Sequence, residues 1–167
     1  MKYLETPLSE EIISTLEVGD IVSISGWIYC GRDAVLPKII EEAQEGTLDK
    51  RIDLKGGVIF HTAVSPAGVG PTSSNKKEIE ESFGPLAELG IKLFLGKGAI
   101  SQETIDKINK ENAVFAVIPP TTALFEDQTF ERELMSHPEL GMEAFYRIRV
   151  QNYQAIIAAA KGRSIYE

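Results

Sequence analysis

Strand-length apolar runs alternating with amphipathic helical stretches place this chain in the α/β class, built around one core. The clearest strand is Ala113-Val114-Phe115-Ala116-Val117-Ile118, an unbroken apolar run of the kind buried on both faces. Ile91-Lys92-Leu93-Phe94-Leu95 precedes it, and a short helical stretch from Ser101 to Asn109 separates the two. At 167 residues the chain is long enough for one domain with a sizeable core.

The remaining elements follow in order. Residues 1–19 read as a lead-in with a short helix start at Ser9, whose followers Glu10 and Glu11 suit the helix dipole. After Gly19-Asp20, the β-branched and aromatic run Ile21 to Tyr29 predicts a strand. Asp33 to Glu45 carries a helical stripe of Val35, Ile39, Ile40 and Ala43, and Pro37 is tolerated if it lies in the first turn. Asp53-Leu54-Lys55-Gly56-Gly57 reads as a turn before the short strand Val58-Ile59-Phe60-His61. Residues 62–75 form a loop rich in Gly, Pro and Ser. An amphipathic stretch then spaces Ile79, Phe83, Leu86 and Leu89 three or four apart, with Pro85 expected to divide it. Beyond Pro119-Pro120 the chain is less regular until the alternation around Ile148 and Val150.

Composition limits the function. Seventeen Lys+Arg against 25 Asp+Glu give a net charge of −8, which argues against a nucleic-acid partner unless the cations cluster. No apolar run approaches the roughly 20 residues that span a bilayer. Met1 to Glu5 lacks the apolar core of a signal peptide, so a cytoplasmic location is expected. The single cysteine, Cys30, excludes an intrachain disulfide and an all-cysteine metal site within this chain.

Three loops combine glycine with a cation. Gly70-Pro71-Thr72-Ser73-Ser74-Asn75-Lys76 leads into a predicted helix and offers backbone N–H groups, hydroxyls and a lysine, the ingredients of an anion site. Gly96-Lys97-Gly98 follows a buried strand, where ligands of open α/β sheets collect. Gly31-Arg32-Asp33 follows the first clear strand, and arginine presents a planar fork that matches a carboxylate. Spacing alone leaves a simpler reading for each: a capped helix start, a strand-to-loop turn, and a surface salt bridge. His61, at a strand end, reads as a hydrogen-bonded structural histidine, and His137 carries no partner motif.

Ser25-Gly26-Trp27-Ile28-Tyr29-Cys30-Gly31-Arg32-Asp33, Asp53-Leu54-Lys55-Gly56, Val69 to Ser74, Gly96-Lys97-Gly98 and Glu139-Leu140-Gly141-Met142-Glu143-Ala144 occur in that order. As an ordered set they resemble the β subunit, or C-terminal domain, of iron–sulfur hydro-lyases: class I fumarate hydratase and L(+)-tartrate dehydratase. The resemblance implies one swivelling β/β/α three-layer domain over residues 1–167. It also implies an α-subunit partner whose three cysteines hold a four-iron, four-sulfur cluster, and a higher oligomer of α–β pairs.

The substrate implied is a small dicarboxylate, fumarate/malate first and tartrate second. By position, Thr72 would be the catalytic base, while Arg32 and Lys97 would bind substrate carboxylates. Lys76 stands where the family usually has an arginine that helps bind substrate; Gly70 and Ser73 complete the loop. A threonine hydroxyl is a weak base unless nearby cations and N–H groups stabilise its alkoxide. The acid that protonates the departing hydroxyl would come from the partner. A non-catalytic domain that binds a carboxylate or a partner protein is the alternative.

Overall fold

The computed structural model describes residues 1–65, 68–72, 76–96, 98–118 and 129–166, with the backbone alone at 63–65, 68–72, 76–79 and 129–130. Five strands run parallel as neighbours: β1 (Lys2–Glu5), β2 (Ile21–Cys30), β3 (Val58–Phe60), β6 (Leu93–Gly96) and β7 (Val114–Val117). A short antiparallel hairpin, β4 (Thr62–Ser65) and β5 (Gly68–Thr72), leaves the carboxyl end of β3. Helices α1 (Glu10–Ser14), α2 (Leu36–Glu45), α3 (Lys76–Glu88) and α4 (Gln102–Lys110) join the strands.

The sheet closes on itself through β9 (Phe145–Ala160), a strand of 16 residues that runs antiparallel to both β2 and β7. Ile156 is the closure point, paired with Ile21 on one side and Val117 on the other. The β7 edge of β9 also carries β8 (Thr129–Ser136), and its β2 edge carries the two-residue β10 (Arg163–Ser164). A 3-10 turn, η1 (Pro138–Glu143), links β8 to β9.

Alternation along the central strands sorts the core into two layers, because successive side chains point to opposite faces. Val58, Phe60, Leu93, Leu95, Val114 and Ala116 belong to the layer enclosed by the ring, along with Ile24, Ile28, Cys30 and Tyr153. Ile59, Phe94 and Phe115 face outward onto Leu36 and Ile39 of α2, Phe83 and Leu86 of α3, and Ile105 and Ile108 of α4. Apolar residues on both faces are what a parallel sheet covered by helices requires. Phe83 stacks on Phe94 at 4.4 Å between centroids and meets Phe115 edge-on at 5.9 Å, fixing α3 against β6 and β7. Such pairs add about 0.5–1.5 kcal/mol beyond the area they bury.

Local signals set several boundaries. The Ser9 and Ser101 hydroxyls accept from the N–H groups of Ile12 and Thr104, each at 3.2 Å, and so cap α1 and α4. Pro37 lies in the first turn of α2. The Ser25–Gly26 step is a β-bulge opposite β9; Gly26 has φ +111°, and a Cβ there would lie 2.3 Å from the Thr6 hydroxyl. Asp53 to Gly56 is a structural crossing. The Asp53 N–H donates to the Tyr29 hydroxyl at 3.0 Å, the Gly56 N–H donates to Gly90 O at 2.8 Å, and Gly56 O accepts from Leu8 N–H at 2.7 Å.

Four expectations differ from the structure. The lead-in contains β1, an edge strand held by pairing to Val22 through Ser25. Residues 62–65 and 68–72 form the β4–β5 hairpin rather than irregular loop. Pro85 does not divide α3, which runs through it from Lys76 to Glu88. Gly84 precedes that proline and has no Cβ to meet the ring, which removes part of the usual clash. The irregular segment contains β8, whose pairing to β9 is shifted at two places.

Candidate functional site

Parallel strands deliver their following loops to one end of the sheet, and the loops after β2, β3 and β6 carry the candidate residues. Cys30 lies beside Phe60 in register, and Gly31 N–H donates to Phe60 O at 3.2 Å. That register brings the Arg32–Asp33 step next to His61. A side chain at Gly31 would meet Val35 and Leu36 at 3.0 Å and Phe145 at 3.2 Å, so the close approach needs glycine.

Arg32 sits in the turn that starts α2: its carbonyl accepts from Val35 N–H at 3.1 Å and Leu36 N–H at 3.0 Å. Its guanidinium Nε lies 3.8 Å from Glu143 Oε1 at the end of η1, with the side chains 32% and 44% exposed. The same Nε is buried without a hydrogen-bond partner among the described residues. Among the described residues the guanidinium is therefore only loosely neutralised.

Asp33 contacts a different partner. Its Oδ1 lies 3.1 Å from His61 Nε2, a close polar contact that is an ion pair only when the imidazole is protonated. His61 is almost wholly buried, and its backbone N–H donates to Leu95 O at 3.4 Å, near the end of β6. Asp33 and His61 also line an open pocket of about 570 Å³, together with Leu36 and Ile40 of α2 and Glu81 and Ser82 of α3.

Thr72 ends β5 and pairs with Thr62, the residue after His61, while Gly70 lies on the same strand. Lys76 is the first residue of α3. The side chains of Thr72 and Lys76 lie outside the described residues, as do Ser73 and Lys97 entirely. β6 ends at Gly96, one residue before Lys97. Arg32 and the strand carrying Thr72 thus come to the same end of the sheet.

Sequence reasoning passed over two features. The Asp33–His61 contact depends on the β2–β3 register, and the only local signal was that both residues follow strand ends. Glu143 lay in a motif without an assigned role. His137, which carries no partner motif in the sequence, has two partners: Nε2 lies 2.7 Å from Glu42 Oε1 and Nδ1 3.2 Å from Glu139 Oε1. Partial burial opposes a charge on His137, but the two carboxylates outweigh it and hold its pKa above the ordinary histidine value.

Cys30 is buried among apolar neighbours, and that burial pushes its thiol far above the usual range. Among the described residues no group of three His, Cys, Asp or Glu side chains is arranged to hold a metal ion. No helix among them is long and apolar enough to cross a membrane.

The profile of the fumarase C-terminus matches residues 3–167. A Geobacillus stearothermophilus protein provisionally named fumarate hydratase class I is 28% identical over 98% of this chain, which spans 33% of that relative. A Methanocaldococcus jannaschii protein provisionally named L(+)-tartrate dehydratase subunit beta is 30% identical over 100% of this chain and 92% of its own length. The L(+)-tartrate dehydratase subunit beta of Escherichia coli K12 is 30% identical over 95% of this chain and 82% of its own. The chain thus spans about a third of the first relative and most of the two β subunits. With residues 3–167 matched by the family's model, the chain belongs to the fumarase C-terminus family.

Proposed function

We propose that this chain, as one swivelling β/β/α domain over residues 1–167, is the β subunit of an iron–sulfur hydro-lyase. Its substrate is a small dicarboxylate, fumarate/malate in the first instance. The observation that carries the reading is the arrival of Arg32 and the Thr72 strand at neighbouring strand ends, with Arg32 only loosely neutralised among the described residues.

In the dehydration direction, Arg32 and Lys97 hold the substrate carboxylates, and Gly70 and Ser73 complete the anion-binding loop. Thr72, as alkoxide, takes a proton from the carbon next to one carboxylate. The electron pair left behind forms the double bond as the neighbouring carbon–oxygen bond breaks. The hydroxyl leaves as water after protonation by an acid of the partner. Arg32 and Lys76 supply the positive field that lets a threonine hydroxyl give up its proton near neutral pH.

The residues of this chain do not fit a four-iron, four-sulfur cluster. Its one cysteine faces the enclosed core with a thiol held protonated, and no ligating group accompanies it among the described residues. We assign the cluster to an α subunit with three ligating cysteines, joined to this chain in a higher oligomer of α–β pairs in the cytoplasm. L(+)-tartrate is the second substrate reading, favoured by the names and length match of the two β subunits.

Anaerobic co-expression with the α subunit tests this. Fumarate hydration or L(+)-tartrate dehydration is expected only when both chains are present. An intact cluster with no turnover of either substrate overturns the proposal.

A further inference from the structure

We propose that Asp33 and His61 form a positioning pair that sets Arg32 for a substrate carboxylate; the inference rests on the reading above. Neither residue needs to touch substrate. Their effect is on where the loop after β2 stands relative to the ends of β3 and β6.

Three observations support it. Asp33 adjoins Arg32, and the Arg32 carbonyl is already committed to the first N–H groups around α2, so moving Asp33 moves Arg32. His61 is buried at the point where β3 gives way to the hairpin bearing Thr72, and its backbone is tied to Leu95. The 3.1 Å contact between Asp33 Oδ1 and His61 Nε2 therefore links the loops after β2 and β3 and reaches the end of β6.

Magnitudes favour this contact over the other acid near Arg32. The Glu143–Arg32 pair is 3.8 Å apart with both side chains substantially exposed, a class worth little. The Asp33 carboxylate meets a histidine side chain that is 2% exposed, where solvent screens a contact far less than at the surface. A shift of about 1 Å in a substrate-holding residue costs up to roughly 100-fold in rate.

The test uses the α–β complex carrying Asp33→Asn, His61→Asn, or both, alongside wild type. KM and kcat are measured with fumarate and L(+)-tartrate, binding of the unreactive dicarboxylate succinate by calorimetry, and Tm in parallel. The single variants are expected to raise KM and the succinate Kd roughly tenfold or more and to lower kcat as well, because a displaced Arg32 also supports the Thr72 alkoxide less well. The double variant is expected to be no worse than the poorer single, the signature of one shared interaction. Asp33→Glu, which keeps the charge, is expected to recover most of the affinity. His61→Gln serves in the same comparison if His61→Asn does not fold. A lowered Tm with unchanged KM and Kd, or single effects that multiply in the double variant, overturns the inference. A wild-type complex that binds succinate without turning over either substrate overturns the proposed activity, while the Kd comparison still decides the role of the pair.

Discussion

Thr72 pairs with Thr62 across the β4–β5 hairpin, and Thr62 directly follows His61 at the end of β3. The strand that bears the candidate base is thereby anchored to a central strand of the sheet. Its position is tied to that of Arg32, which follows the neighbouring strand in register.

If Thr72 is the base, Thr72→Ala removes proton abstraction and leaves binding largely intact. The α–β complex is expected to lose about 10²–10⁴-fold in kcat with KM changed by less than about threefold. Steady-state kinetics on the purified complex check this. A variant with near wild-type kcat removes Thr72 from the role.

Gly56 tests the crossing that joins the N-terminal segment to the sheet. Its φ is +74°, and a Cβ would lie 2.6 Å from Leu8 O, a backbone atom that cannot swing aside. Gly56→Ala is expected to cost at least about 2 kcal/mol, or roughly 5 °C in Tm, read by thermal unfolding.

His137 gives the fold a pH dependence. Its folded pKa is raised above the ordinary 6.5, so its contribution is fully present below that value and is lost as pH rises through the folded pKa. Wild type should exceed His137→Gln in Tm by a few degrees near pH 5.5, and the gap should shrink by pH 8.5. An imidazole NMR titration that places His137 below the ordinary value would contradict the ion-pair account.

Cys30 should resist iodoacetamide in the folded chain and react freely in denaturant, because its thiol is buried and held protonated. Incubation of the isolated chain with iron and sulfide is expected to give no cluster absorbance. A stable cluster on this chain alone would remove the reason for assigning it to the partner.

Features with local causes were legible in the sequence. The helix starts at Ser9 and Ser101 and the first-turn position of Pro37 depend on neighbouring residues, and the structure bears them out. β1, β8 and the β4–β5 hairpin escaped because edge strands and hairpins are stabilised by pairing that no short window reveals. The closure at Ile156 joins residues more than 130 positions apart along the chain in one direction and about 40 in the other. Arg32 could be found from its glycine and the strand before it. The Asp33–His61 contact could not, since it exists only once β2 and β3 take their register. Function became legible through the order of several weak motifs, none of which identifies a reaction alone.

The most direct measurement is anaerobic turnover by the purified complex of this chain with a cluster-bearing α subunit, assayed on fumarate and on L(+)-tartrate. The account predicts reversible hydration or dehydration of one of them, lost when Arg32 is replaced by Ala. A complex with an intact cluster that turns over neither substrate, or that is indifferent to Arg32→Ala, would contradict it.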